Sequence, residues 1–383
     1  MEQARQASPN FSSRKKKVLS YAAVVQADVE ALVILDAMDI YFLTGAVEGV
    51  QALVLTGNGM IVFTSLVFFD EFKSNLTHCS VYITSEDPRK RPEIHQVLID
   101  WFLLNKIKRV GINGSKINFH TCSKFISAGQ EKNICLLSLK DFVSPVRAVK
   151  DSYELNKIND CVGIAEQAFQ KLLELGASYI IGKSEKEIAW ELESWMRELG
   201  AEKQGFPGTG IIVAAGAKSA GVHPKPGTKT IQKGDHILID WGAEKDGYRS
   251  DSTRVVFAGK SPSWAPEVFK VVKEALEESV STLKAGEPIC LADLRAREVI
   301  TKAGYKEFLY GVGHGVGLEI HEEPWIRPES KDLQIKDMLT TIEPGIYIQG
   351  KGGIRLENIY QITEAGSNRL GTLTMDLDEL TMH

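Results

Sequence analysis

Three apolar, strand-like runs each carry a carboxylate. Asp240 closes the apolar part of HILIDWG (236–242), Glu343 stands in TTIEPGIYI (340–348) and Glu357 in GGIRLENIYQI (352–362). An ionised carboxylate taken out of water is costly unless it is paired or coordinates a metal. A fold that buries such strands has to supply each carboxylate with a partner or a metal. A fourth acid, Asp251, follows Asp240 with Asp246-Gly247 near the midpoint, a dipeptide that favours a tight turn. Two antiparallel strands folded there set Asp240 and Asp251 side by side, and a dication relieves their repulsion. Taken singly, each acid also has an ordinary reading: solvated aspartates flanking a hairpin, or glutamates satisfied by structural partners.

The run GVGHGVGLEIHEEP (311–324) supplies two imidazoles, His314 and His321. Its glycines stand at 311, 313, 315 and 317, so a dinucleotide fingerprint fails at Val316, and no Lys-Ser/Thr follows to complete a phosphate loop. His321-Glu322 begins like a helical zinc motif, but position 325 is Trp, and Pro324 and the glycines oppose a helix. The glycines imply extended or irregular backbone passing close to something. Alone, the run also fits a structural glycine loop with incidental histidines.

Around these residues the chain reads as two parts. ALVIL (31–35), ALVLT (52–56), MIVFT (60–64), SVYIT (80–84), KRVGI (108–112) and ICLLS (134–138) are short β-prone runs. EIHQVLIDWFLLN (93–105) has helical spacing, and Gly57-Asn58-Gly59 marks a hairpin. These predict a small α/β domain over 1–145, with His78, His95 and His120 isolated in packing or surface roles. The character changes at VSPVRAVK (143–150). Asp151 with Glu154, and Ser184 with Glu187, open two long helices that Gly176 and Gly200 stop. Strand-like runs at 210–216, 236–242, 248–259, 340–348 and 352–362, with helices at 265–286 and 291–304, predict an α+β domain over 151–383, its strands in hairpins.

Charge and hydropathy limit the partners. With 45 basic and 50 acidic residues the net charge is −5, which argues against nucleic acid held by a global positive field. The apolar runs are far too short to span a bilayer, so no membrane partner is expected. No apolar stretch of signal-peptide length follows the basic cluster Arg14–Lys17, which reads as part of a solvated tail. The five cysteines are odd in number and scattered, which suggests neither a disulfide framework nor a metal knuckle and fits a reducing, cytoplasmic compartment.

Asp240, Asp251, His314, Glu343 and Glu357 together make four carboxylates and one imidazole, without a thiolate. That set suits Mn²⁺, Co²⁺, Fe²⁺ or Zn²⁺. Four carboxylates exceed the need of one ion, so two ions sharing bridging carboxylates and a bridging water are the simpler reading. Glu343 could then act as a general base and His321 as a donor to the oxyanion.

The order D-x-G, S-D-x-T-R, G-x-G-H-G-x-G-L-x-x-H-E-x-P, T-I-E-P-G, G-I-R-L-E resembles the pita-bread metallopeptidases, and more narrowly the Xaa-Pro dipeptidase (prolidase) and Xaa-Pro aminopeptidase group. The first part, with YFLTG (41–45), resembles the creatinase-like N-terminal domain of that group. The resemblance implies a pita-bread catalytic domain preceded by a smaller α/β domain. It implies hydrolysis of the bond between an N-terminal residue and proline in a small peptide, two divalent ions with manganese first, and a homodimer. Asp240 would bind one ion alone, Asp251 and Glu357 would bridge, and His314 and Glu343 would complete the other. His321 would contact substrate and the tetrahedral intermediate, His223 would line the substrate pocket, and Arg355 would organise that end of the site. Asn358 departs from the pattern, since relatives commonly have an acid there, and this puts metal preference in question. The rivals are a metal-retaining pita-bread hydrolase of a non-proline amide or C–N bond, a methionine aminopeptidase, and a non-catalytic binding module.

Overall fold

In the computed structural model, which describes residues 8–25, 28–46, 48–87, 89–208 and 210–383, the chain divides into two units, Ser8–Arg147 and Ala148–His383. The first runs α1 (Phe11–Val25), β1 (Ala31–Ile34), α2 (Ala37–Thr44), β2 (Val50–Thr56), β3 (Met60–Thr64), α3 (Leu66–Asn75), β4 (Ser80–Ile83), α4 (Ile94–Leu104), β5 (Arg109–Asn113), α5 (Phe119–Glu131) and β6 (Cys135–Leu139). The strands form one sheet in the order β4-β3-β2-β1-β5-β6. The β2–β3 hairpin turns where Gly57-Asn58-Gly59 predicts. The parallel neighbours β3–β4 and β5–β6 are each joined through a helix, as a parallel crossover requires. Val33, Val54, Phe63 and Val110 from the strands pack with Leu98, Phe102 and Phe125 from α4 and α5 into the core of this unit.

The basic cluster corrects one expectation. Arg14–Lys17 lies in α1 rather than in a solvated tail, and residues 1–7 are outside the described residues. Arg14, Val18 and Ala22 are buried at helical spacing, and Arg14 Nη1 donates to the Phe42 carbonyl at 2.8 Å with the guanidinium over the Phe42 ring. The long arginine stem lets a charged residue sit in an apolar stripe, which a charge-based reading overlooks.

The chain continues through α6 (Ser144–Ala148), α7 (Ser152–Leu175), α8 (Ala177–Ile180), α9 (Glu185–Glu198), β7 (Lys203–Gln204), β8 (Ile212–Ala215), β9 (His236–Trp241), β10 (Ala243–Lys245), β11 (Tyr248–Arg249) and β12 (Ser252–Ala258). Then come α10 (Ala265–Val280), α11 (Cys290–Lys302), β13 (Gly313–Gly315), β14 (Glu322–Ile326), β15 (Leu339–Ile342), β16 (Gly345–Ile348), β17 (Gly352–Arg355), β18 (Asn358–Ile362), β19 (Ser367–Arg369) and β20 (Thr381–Met382). Both capping boxes form: Asp151 with Glu154 at α7, and Ser184 with Glu187 at α9. The strands sit in small sheets, among them β20-β12-β9-β8 and β15-β18-β19. Trp241 fixes β9 to α7 by stacking on Phe169, ring centroids 4.2 Å apart, and by donating Nε1–H to the Ala165 carbonyl at 2.9 Å. Side chains alternate along a strand, so Asp240 is turned to the face opposite Trp241. Among the described residues, no helix is long and apolar enough to cross a membrane.

The runs 340–348 and 352–362 differ from expectation in an informative way. Each is two strands, not one. β15 pairs with β18 and β16 pairs with β17, so the register runs Ile342↔Asn358 and Gly345↔Arg355. Glu343-Pro344 and Leu356-Glu357 are the unpaired residues between, facing each other across one break. Pro344 has no N–H for a ladder, and the interruption frees both glutamates from the strand pleat.

Candidate metal centre

Local structure delivers each proposed ligand. β9 and β12 are antiparallel with Asp240 opposite Thr253, and the chain turns between them at Asp246-Gly247. Asp251 stands one residue before β12 and so shares a strand face with Thr253. His314 is the central residue of β13. Its flanking glycines are required by close approach: a Cβ at Gly313 would strike the Thr341 carbonyl, and one at Gly315 the Glu323 carbonyl. Gly313–Gly315 is therefore backbone pressed between neighbouring strands, with the His314 imidazole projecting from it.

The ligand atoms of these residues converge. Asp240, Asp251 and Glu357 form one group with donor atoms within 4.8 Å of one another, and His314, Glu343 and Glu357 form a second that shares Glu357. Asp240, Asp251, His314 and Glu357 are all buried. His314 Nδ1–H donates to the Gly315 carbonyl at 3.0 Å, which leaves Nε2 facing the acids, 3.2 Å from Glu343 Oε1 and 3.7 Å from Asp251 Oδ2. Arg355 Nη2 donates to Asp240 Oδ2 at 2.6 Å, while Asp240 Oδ1 is buried with no hydrogen-bond partner among the described residues. Burial, and then the neighbouring carboxylates, push the Asp251 and Glu357 carboxyls well above their usual range. Burial also raises Asp240, against the pull of Arg355. For Glu343 burial acts upward, but the His314 hydrogen bond and nearby positive groups outweigh it and hold the carboxyl low. Three buried acids and a partly buried fourth against one guanidinium, an orphaned carboxylate oxygen and an imidazole nitrogen set among carboxylates all fit divalent cations. Oxygen donors with a single nitrogen and no thiolate suit hard or borderline ions.

The remaining predicted residues gather at this cluster too. His321 lies edge-on to His314 with ring centroids 4.3 Å apart, and a ring nitrogen comes within 4.8 Å of donor atoms on Asp251 and His314. It retains solvent access, and the protein atoms crowding its ring, with His314, push its pKa down to about 4. His223 is exposed, on the segment after β8, near enough to act electrostatically on Asp240 and His321. Arg355 is fully buried; besides Asp240 it reaches Thr253 Oγ1 at 3.0 Å, the Tyr347 hydroxyl at 2.9 Å and the Val222 carbonyl at 3.1 Å.

Several residues went unread in the sequence. Thr253 Oγ1 donates to Glu357 Oε2 at 2.7 Å while accepting from Arg355, and so orients a proposed ligand. Its local signal is the threonine of S-D-x-T-R, two residues after Asp251, to which no role is given from sequence. Asn358 does not face the acids. Its Oδ1 accepts from Arg254 Nη2 at 2.7 Å, and Arg254 is buried among the carbonyls of Thr253, Glu357, Leu373 and Thr374. Among the described residues no carboxylate forms an ion pair with that guanidinium, and the neutral Asn358 amide meets it beside the Glu357 carbonyl.

Lys150 and Glu322 form a buried ion pair, Nζ to Oε1 at 2.7 Å, beside His321. Glu322 Oε2 also accepts the Glu319 N–H at 3.2 Å and so holds the 317–322 turn. Replacing Lys150 takes the charge partner from a buried carboxylate. Lys150→Met is therefore expected to destabilise this unit by about 3–5 kcal/mol. Urea unfolding followed by tryptophan fluorescence reads it, since five of the six tryptophans lie in residues 148–383. An unchanged midpoint would mean the pair is not buried in solution.

Comparison with known proteins supports the architecture and the chemistry together. The profile of Metallopeptidase family M24 matches residues 156–364. An Xaa-Pro dipeptidase of Pyrococcus furiosus is 34% identical over 283 residues, which is 74% of this chain and 77% of that protein. The structure of an Xaa-Pro dipeptidase from Bacillus anthracis superposes with a TM-score of 0.87 at 26% identity, covering 96% of this chain and 99% of the other. An X-Pro aminopeptidase from Thermotoga maritima superposes with a TM-score of 0.80 at 31% identity, covering 91% and 97%. The α+β unit thus has the pita-bread fold, with a smaller α/β unit before it.

Proposed function

The chain belongs to metallopeptidase family M24, and from that premise we propose that it hydrolyses the peptide bond between an N-terminal residue and proline. The observation that carries this reading is the convergence of Asp240, Asp251, His314, Glu343 and Glu357 on one buried cluster whose acids lack enough positive charge of their own. The names of the similar proteins, Xaa-Pro dipeptidase and X-Pro aminopeptidase, supply the substrate class.

Asp240 would hold one ion, His314 and Glu343 the other, with Asp251 and Glu357 shared. Two bound divalent ions, manganese first and cobalt, zinc or iron otherwise, would supply an acidified water and an electrophile for the scissile carbonyl. The protein does the rest. Arg355 and Thr253 fix the orientation of Asp240 and Glu357. His321, beside His314 and open to solvent, donates to the oxygen that gains charge as the carbonyl becomes tetrahedral. Glu343 takes a proton from the attacking water and hands it to the proline nitrogen as the C–N bond breaks. His223 contacts the peptide from the rim. The five cysteines are all unpaired, which accords with a reducing, cytoplasmic setting. The family resemblance also carries a homodimer, for sedimentation to test.

A panel of Xaa-Pro dipeptides and Xaa-Pro-Yaa tripeptides, assayed with metal content determined on the same sample, is the direct test. Cleavage on the amino side of proline with up to two ions per chain is expected. Full metal occupancy with no Xaa-Pro substrate cleaved would overturn the proline reading in favour of another amide or C–N bond. The split between dipeptides and tripeptides reports the chain length the pocket accepts.

A further inference from the structure

His223 sits on the stretch between β8 and β9, which has little regular structure beyond one short 3₁₀ turn, Gly216–Ala220. Substrate-facing side chains on such a stretch need their backbone held from outside it. A residue far away in sequence does this. Glu185, the first residue of α9, is fully buried. Its Oε1 accepts the Ala215 N–H at 3.0 Å, and its Oε2 accepts the Gly227 N–H at 2.8 Å. The same Oε2 pairs with Lys218 Nζ. One carboxylate therefore grips the stretch before the 3₁₀ turn, within it and after it.

The start of α9 adds to the grip. Its first N–H groups have no partner within the helix. Glu185 N–H donates to the Lys229 carbonyl at 3.1 Å and Lys186 N–H to the Gly227 carbonyl at 3.2 Å. Between these anchors the stretch is tied to the metal centre. Ser219 Oγ accepts the Gly353 N–H at 2.8 Å, and the Val222 carbonyl, one residue before His223, accepts from Arg355, which also holds Asp240.

We propose that Glu185 is a positioning residue for His223, holding residues 215–227 so that the imidazole faces bound peptide. The inference rests on the reading of His223 as a substrate contact and adds the residue through which the fold enforces it. A negative charge with two backbone N–H groups and a lysine is a better clamp than an uncharged side chain, because hydrogen bonds to an ionised acceptor are about twice as strong as neutral ones. Glutamine keeps the shape and loses the charge and one acceptor.

The experiment is a double-mutant cycle on an Xaa-Pro dipeptide with wild type, Glu185→Gln, His223→Ala and the double variant, all metal-loaded and assayed well below their melting temperatures. His223→Ala is expected to raise KM about tenfold or more, and Glu185→Gln to raise it by up to about tenfold with kcat changed less than about twofold. In the double variant KM matches His223→Ala alone, because a clamp has nothing left to position. A residue that merely stabilises the unit would lower the active fraction, and so kcat, without moving KM. Wild-type KM in Glu185→Gln, or multiplied effects in the double variant, overturns the proposal and leaves the role of His223 standing. Wild-type KM in His223→Ala overturns that role and the proposal with it. Should Glu185→Gln fold poorly, Lys218→Met loosens the clamp from a partly exposed position and is expected to follow the same non-additive pattern at smaller amplitude.

Discussion

Asp251→Ala is expected to fold, to lose the metal pair and to hydrolyse Xaa-Pro peptides at least about a thousandfold more slowly, a barrier higher by about 4 kcal/mol. The size follows from its position. Asp251 belongs to the acidic group with Asp240 and Glu357 and also approaches His314, so its carboxylate, like that of Glu357, is set to serve both ions. Mass-spectrometric metal analysis should fall from up to two ions per chain towards none, and Glu357→Ala should behave alike.

The stability side of the same substitution runs against the usual expectation for a buried polar residue. Burial, Glu357 and Asp240 raise the Asp251 carboxyl well above its ordinary range, so the site works against its charged form while no cation is present. Deleting it relieves that cost. The metal-free variant should melt no lower than metal-free wild type. Added metal should raise the wild-type midpoint, since an ion at a hundred times its dissociation constant contributes about 2.7 kcal/mol, and should leave the variant unmoved. A variant that melts far below the metal-free parent would show that Asp251 is held by protein contacts rather than kept for a cation.

The features legible in sequence were those in which a residue contradicts its surroundings. Carboxylates in apolar strands point to the centre, and the glycine-rich run, which alone also fits a structural loop, joins them. Asp151 and Ser184 marked helix starts because a capping box is written within four residues. Features built by distant partners were not legible. Lys150 and Glu322 are 172 residues apart, and Glu185 and Gly227 are 42 apart, with no local pattern to announce either contact. Arg14 is buried where its charge predicts exposure, because its aliphatic stem lies in an apolar stripe and its guanidinium covers the Phe42 ring. The breaks at Glu343-Pro344 and Leu356-Glu357 escaped because apolar periodicity continues straight through them. Only pairing with another strand reveals that the ladder is interrupted where the glutamates turn inward.

His321→Ala should separate the two histidines of the glycine-rich run by experiment. Their rings touch, and His321 lies close enough to Asp251 and His314 to ligate. Distance alone does not distinguish a metal ligand from a group that meets substrate. Their surroundings do. His314 is buried in β13, with Nδ1 committed to the Gly315 carbonyl and Nε2 set among acids. His321 stands on the exposed side of the cluster and keeps access to solvent, where a peptide carbonyl can reach it. Loss of a donor to developing oxyanion charge costs about 10²–10³ in kcat. His321→Ala is therefore expected to lose about that factor in kcat with its metal content unchanged. His314→Ala should lose metal as well as activity. The ratio of ions to chains in the two variants decides the assignment. If His321→Ala releases an ion, His321 is a ligand and the donor to the oxyanion must be sought elsewhere, with His223 the nearest imidazole still available. If it keeps both ions and full kcat, the carbonyl is activated without it.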